Sequence, residues 1–361
     1  MTTRTPLKGL IATGGKGSRL RPFTYTGAKQ LVPIANKPVL FYGVEQLVAA
    51  GITDIGVVVG DTAAQVHEAL GDGSRFGARF TFLRQEQPLG IAHTLVVARD
   101  FLGDAPFVMF LGDNFLRGGI EALVDRFLRE GPSAQVQLVR VPRPQEFGVA
   151  VLTPDGRLQR LIEKPQIPPS DLAIIGLYMF QPAVHDAVAS LKPSARGEYE
   201  ITEAIQELID RGQRVDACPV EDHWIDTGRM GDILAANRLV LEVLAPAIHG
   251  VVDERSRIDG RVVIERGARV QASVIEGPAI IGADTVLDHC YIGPFTSIYH
   301  NCYVREAELS GSVVLERTHI ESVLHRIEGS LIGRDVRLTG AAQRPRAYRL
   351  VLGDHSEAAL P

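Results

Sequence analysis

From the start of the chain to about residue 240, short apolar runs alternate with stretches whose apolar residues recur at helical spacing. The runs over 7–13, 55–59, 79–83, 107–111 and 134–141 are continuous and short, and predict buried strands. Between them, 39–50, 62–70, 91–101 and 119–129 carry the amphipathic spacing of helices. Such alternation predicts an α/β fold, a Rossmann-like mixed and mostly parallel sheet flanked by helices. Ligands of such sheets bind at the carboxyl ends of the strands. The first strand runs directly into Gly14-Gly15-Lys16-Gly17-Ser18-Arg19, which places that turn where a ligand is expected.

Beyond about residue 250 the pattern changes. Aliphatic residues recur every six positions at Ile258, Ile264 and Val270, then at Ile280, Val286, Ile292, Ile298 and Val304, and later at Val314 and Ile320. Neither the helical period of 3.6 nor the strand period of 2 explains this. A hexapeptide-repeat β-helix does, with three short strands per triangular coil and one aliphatic residue per strand pointing inward. A β-sandwich with accidental spacing would not hold register through the five consecutive positions from 280 to 304. The break between Val270 and Ile280 predicts a looped-out insertion or an irregular coil. Two domains are therefore expected, 1–243 and 250–361, the second ending in a tail from Ala341 that carries Arg-Pro-Arg-Ala-Tyr.

Composition narrows the function classes. With 361 residues the chain can form two cores, and 45% hydrophobic with 22% charged residues is ordinary for a globular protein. A net charge of −5 supplies no basic field for nucleic acid. The three cysteines, Cys218, Cys290 and Cys302, show neither CxxC pairing nor metal-ligand spacing, and an odd count fits a reducing compartment. MTTRTPLKG lacks the apolar core of a signal peptide, and no apolar run approaches membrane-spanning length, so a cytoplasmic protein is expected.

The opening turn suits an anion, because bare backbone N–H groups can converge there. It fits neither G-x-G-x-x-G, whose third glycine position is Leu20, nor a P-loop, since no Gly-Lys-Ser/Thr closes it. Arg19 can grip two phosphate oxygens at once, and Lys29 and Lys37 follow. Three cations around one turn match a triphosphate better than a dinucleotide, although each lysine alone would read as a solvated loop residue. Gln85 and Gln87 both precede a helix, and either offers the paired donor and acceptor that a pyrimidine imide edge needs. Gly90 lets a base approach the backbone. Asp113 at a strand's carboxyl end and Asp226 in Trp-Ile-Asp-Thr-Gly are suited to Mg²⁺ bridging phosphates, or separately to turns.

GGKGSRLRP followed by KQLVPIANKP resembles the signature of sugar-nucleotide pyrophosphorylases, GGxGTRLxP with a downstream KxxxP. The resemblance covers roughly residues 7–240 and is closest to members that use dTTP and glucose 1-phosphate and end in a left-handed β-helix. Thr13 and Ser18 stand where Ala and Thr are commoner, and Phe147 where Tyr is common. The resemblance implies that Gly14, Gly15, Gly17, Ser18, Gln85, Gly90 and Asp113 bind the nucleotide, with Gln85 reading the base. It implies that Gly148, Glu163, Lys164, Gly176, Tyr178 and Arg196 bind the sugar phosphate, and that Asp113 and Asp226 hold Mg²⁺. Arg19, Lys29 and Lys164 are then the catalytic cations.

The implied reaction is in-line attack of the sugar phosphate on the α-phosphorus of dTTP, with pyrophosphate departing. Two other readings stay open on sequence. The scaffold could use UTP or another sugar 1-phosphate, or the β-helix could add an acyltransferase site around His289, His300, His319 or His325. The flat faces of stacked coils suit contacts between copies, so a homo-oligomer is expected.

Overall fold

The computed structural model describes residues 6–15, 17–220, 223–340 and 353–359. Lys16 and most of the tail from Ala341, including Arg-Pro-Arg-Ala-Tyr, lie outside them. The chain divides into two compact units: Met1–Lys16 with Leu40–Asp226, and Gly17–Val39 with Thr227–Pro361. Its path changes unit inside the opening turn, again between Val39 and Leu40, and a third time beside Asp226.

The first unit is built on a nine-stranded mixed sheet. Along its main path the strands run Leu158–Glu163, Gly148–Leu152, Leu172–Phe180, Phe107–Leu111, Lys8–Ala12, Asp54–Val59 and Arg79–Arg84. The last four are mutually parallel, because a helix crosses over between successive strands. Lys8–Ala12 lies between Phe107–Leu111 and Asp54–Val59, so the order reverses beside the first strand, where an open α/β sheet forms its crevice. The nearly continuous apolar character of these strands follows from burial on both faces; Leu10, Ile11, Val57, Val58, Val108 and Met109 are inaccessible to solvent.

Each of the five expected strands forms, as does a helix in each of the four amphipathic stretches. The helix expected over 91–101 is divided into Ile91–Val97 and Arg99–Leu102 at Ala98. There the Ala98 N–H is shared between the Thr94 and Val96 carbonyls, and the α-helical ladder breaks.

In the second unit, three parallel sheets of six, six and five short strands stack into a left-handed β-helix. Its core contains Ile264, Val270, Ile275, Ile281, Leu287, Ile292, Ile298, Val304, Leu309, Val314 and Ile320. This corrects the sequence register at two positions. Ile281 and Leu287 point inward, whereas Ile280 packs outside the coil with Ala35 and Leu241.

The cause is that coils in this stretch hold 17 residues rather than 18, as in Val262 pairing with Ala279 and Val286 with Tyr303. In these coils one side of the triangle is a residue short, so a strict count of six drifts by one over each. The expected insertion between Val270 and Ile280 is accordingly not there, and Ile275 fills the intervening strand. The three cysteines are free and buried, and burial pushes the Cys290 and Cys302 thiols up to about 11.

Candidate active site

In the first unit, Thr13, Gln85 and Gly112 each follow a parallel strand at its carboxyl end. Thr13 is buried, and both its N–H and its hydroxyl donate to the Val58 carbonyl, at 2.9 and 2.8 Å. The hydroxyl that distinguishes it from Ala is thus satisfied by the neighbouring strand. Gly15 has φ 101, a conformation that side chains rarely adopt. A Cβ on Gly14 would lie 3.2 Å from Gln85 Oε1, so the amide of Gln85 sits directly over the turn.

Gln85 is only 6% exposed, whereas Gln87 is exposed. Gln85 Nε2 lies 3.0 Å from His93 Nδ1. Burial lowers the His93 pKa, so the ring is neutral and Nδ1 can accept from the amide. Gly90 has φ 102, and a Cβ there would press on the backbone of Tyr199, at 2.6 Å from its oxygen. Leu89 O accepts from Tyr199 N at 2.7 Å, and Tyr199 O accepts from Ala92 N at 3.0 Å. The loop around Gln85 is therefore stitched to the loop that carries Arg196. Sequence reasoning passed over His93, since no spacing rule links it to Gln85.

The two candidate metal carboxylates come together through a small ladder. Asn114–Leu116 pairs antiparallel with Trp224–Asp226, and Asn114 stands opposite Asp226. Asp113, 8% exposed, immediately precedes this ladder. Asn114 is buried and organises the corner. Its Oδ1 accepts from Trp224 Nε1 at 2.6 Å and from Gly176 N at 3.1 Å, while its Nδ2 donates to Asp113 Oδ1 at 3.2 Å. Gly176 is required here, because a Cβ would fall 2.5 Å from Asn114 Oδ1. Tyr178 is buried on the same strand. Desolvation, followed by the negative charges of Glu163 and Asp113, holds its phenol protonated well above the usual range.

Glu163 and Gly148 face each other across an antiparallel pair, so the missing side chain of Gly148 leaves room beside the carboxylate. A Cβ at 148 would meet Thr202 Cγ2 at 2.6 Å and Glu163 Oε2 at 3.2 Å. Glu163 is engaged by Arg196 at 3.2 Å, by Lys164 at 3.5 Å and by the Thr202 hydroxyl at 3.2 Å. Arg196 also reaches Glu198 and Glu200, at 3.2 and 3.4 Å. Burial raises the Glu200 carboxyl above its ordinary value. The cations expected to meet a sugar phosphate are thus neutralised by neighbouring carboxylates, and an incoming phosphate would compete with these for Arg196. Phe147, lacking a phenol, packs edge-on against Trp224 with ring centroids 5.5 Å apart.

The remaining predicted residues belong to the second unit. Gly17, with φ 58, opens the short turn Ser18–Leu20, in which Arg19 is exposed. A Cβ on Gly17 would meet Thr24 Cγ2 at 2.8 Å, and the Thr24 hydroxyl donates to Gly17 O at 2.7 Å. Lys29, half-buried, begins the turn Lys29–Leu31, and Lys37 lies in the hairpin strand Lys37–Pro38. Among the histidines of the β-helix, His289 contacts Asp288, His300 packs on Tyr299, and His319 stacks on Tyr303. Among the described residues there is no cluster of three His, Cys, Asp or Glu able to hold a metal, and no helix is long and apolar enough to cross a membrane.

A mixed sheet with a glycine turn after its first parallel strand, a buried amide over that turn and a carboxylate pair nearby is an architecture for handling nucleotide phosphates. The chain belongs to the nucleotidyl transferase family, whose model matches residues 8–243. It is 52% identical over 354 residues to a glucose-1-phosphate thymidylyltransferase of Streptomyces griseus, covering 98% of this chain and 99% of that protein. A protein of the same description from Streptomyces antibioticus is 53% identical over 353 residues, covering 97% of this chain and 99% of its own. Among solved structures, a protein assigned as a glucose-1-phosphate thymidylyltransferase of Bacillus anthracis, crystallised with sucrose, superposes with a TM-score of 0.62. It is 35% identical, and the match covers 65% of this chain and 95% of that one.

Proposed function

We propose that this chain is a glucose-1-phosphate thymidylyltransferase, converting dTTP and α-D-glucose 1-phosphate to dTDP-glucose and pyrophosphate. The observation that carries the reading is the buried Gln85 amide over Gly14, with Asp113 and Asp226 gathered at the neighbouring strand end. Similarity to the Streptomyces enzymes over nearly the whole chain supports the choice of substrates. Residues 1–243 are assigned to catalysis and 250–361 to the β-helix, in line with the family match over 8–243.

The attacking group is already an anion, so no protein nucleophile is required. The task is to hold two polyanions in line and offset their repulsion. Arg19, Lys29, Lys164 and Arg196 supply positive charge, Gln85 reads the base, and Gly14, Gly15, Gly17, Ser18 and Gly90 bring backbone to the nucleotide. Gly148, Glu163, Gly176 and Tyr178 shape the sugar pocket. Tyr178 keeps its proton, so its phenol can donate a hydrogen bond there.

Asp113 and Asp226 fit Mg²⁺, which takes oxygen donors and commonly one or two carboxylates, with phosphates and water completing its shell. Bound there, the ion would neutralise phosphate charge. The protein is assigned to the cytoplasm, to small-molecule substrates rather than nucleic acid or membrane, and to a homo-oligomer.

The test is pyrophosphate release across dTTP, UTP, ATP and GTP with several sugar 1-phosphates. The expected result is the highest kcat/KM for dTTP with glucose 1-phosphate. A preference for UTP, or for another sugar phosphate, would overturn the assignment.

A further inference from the structure

Gly17–Val39, which carries Arg19 and Lys29, is one compact unit with the β-helix and the helix Met230–Glu242. Several of its apolar residues face that support. Leu20 and Val32 pack with Ile233, Val313, Leu315 and Leu331, and Ala35 packs with Leu241 and Ile280. Leu20 adjoins Arg19, and Val32 caps the turn that Lys29 begins, its N–H donating to the Lys29 carbonyl at 3.2 Å. Burial of these anchors therefore limits where either cation can stand.

The far end of the segment is clamped by polar contacts. Strands Pro33–Ile34 and Lys37–Pro38 are joined by a two-residue turn in which Ala35 and Asn36 have φ 45 and 60. Both central residues lie in the left-handed region, which Ala in particular rarely adopts without outside support. Support comes from Asn237, which is 1% exposed. Its Oδ1 accepts from Ala35 N at 2.8 Å and from the Ser297 hydroxyl at 2.6 Å, and its Nδ2 donates to Phe295 O at 3.1 Å. Asn36 Nδ2 donates to Ile298 O at 2.8 Å. Phe295, Ser297 and Ile298 belong to the β-helix, so this turn is held by a coil rather than by its own hairpin.

We propose that the β-helix is part of the nucleotidyl-transfer machinery, with Asn237 and Asn36 as positioning residues that fix the segment bearing Arg19 and Lys29. The inference rests on the reading of those cations as triphosphate ligands. It gives the second domain a role in turnover that neither assembly nor a separate activity requires.

The test uses full-length Asn237→Ala and Asn36→Gly. The second keeps the left-handed turn at ease and removes only the side-chain clamp. Arg326→Ala, on the Glu308 side of the coil, serves as comparator. Kinetics are measured for dTTP and for glucose 1-phosphate, together with hydrogen exchange across 17–39. Both clamp variants should lose about ten- to a hundredfold in kcat/KM for dTTP, as expected when a catalytic group shifts by around an ångström. The KM for glucose 1-phosphate should stay within about twofold, and amides over 28–36 should exchange faster.

Wild-type kinetics in both variants would overturn the proposal. So would losses shared equally by both substrates and accompanied by a general rise in exchange. Failure of the wild-type chain to use dTTP would instead sink the functional reading, while the exchange pattern still decides whether the coil holds the segment.

Discussion

Asn114 offers the sharpest test of how the carboxylate corner is built. Replacing it with Ala removes the acceptor shared by Trp224 Nε1 and Gly176 N, and the donor to Asp113. Gly176 is buried, and an orphaned buried donor costs about 1–3 kcal/mol. Water can partly rescue the half-buried Trp224 indole, so the combined loss is about 2–4 kcal/mol. On the proposed Mg²⁺ role of Asp113, losing the residue that orients it should lower activity by about ten- to a hundredfold.

Trp224 is the only tryptophan of the chain, so its emission follows both the local change and urea unfolding. Asn114→Ala should lower the urea midpoint and red-shift native emission. Asn114→Asp keeps an acceptor for Trp224 but places a second charge beside Asp113. It should preserve the emission and still lose turnover. Wild-type midpoint, emission and rate in Asn114→Ala would refute the reasoning outright.

Three further outcomes are expected. Arg19→Ala and Asp113→Ala should each reduce pyrophosphate release about a hundredfold or more with the fold retained on circular dichroism, since on the proposed reading the first removes positive charge from the transferring phosphate and the second a carboxylate that would hold Mg²⁺. Gln85→Ala should raise the KM for dTTP about tenfold, whereas Gln87→Ala, altering an exposed side chain, should leave it near wild type; the reverse order would reassign the base contact. Burial raises the Glu200 carboxyl above its ordinary 4.5, so its contribution to stability is complete below that value and is lost as pH rises through the folded value. Melting of Glu200→Gln from about pH 4 to 7 should therefore show the variant gaining on wild type as pH rises; a constant difference would mean the burial is compensated.

Much of this protein was legible in the amino-acid order because the signals are local. Apolar runs bounded by turns marked the buried strands, since a strand enclosed on both faces has no polar positions to spend. Glycines at 14, 15, 17, 90, 148 and 176 were visible before the reasons for them were. Three, Gly15, Gly17 and Gly90, adopt left-handed backbone angles that side chains rarely take, and Gly148 and Gly176 leave room for Glu163 and Asn114. The β-helix was legible as a period, yet the shortening of its middle coils to 17 residues was hidden. A one-residue shortening per turn looks like an interruption in a count of six, and Ile280 and Ile281 are equally apolar.

What the sequence could determine alone was the type of each element and the kind of chemistry each loop can support, because both follow from residues adjacent in the chain. Tertiary structure decided which groups meet. Gln85 rather than Gln87 lies buried over Gly14, Asn114 ties Asp113 to Trp224 and Gly176, and Arg196 is shared among three carboxylates. Asn237 closes on a turn some two hundred residues earlier in the chain. Contacts of that separation carry no periodic trace, since a side-chain hydrogen bond constrains two positions and leaves the residues between them free.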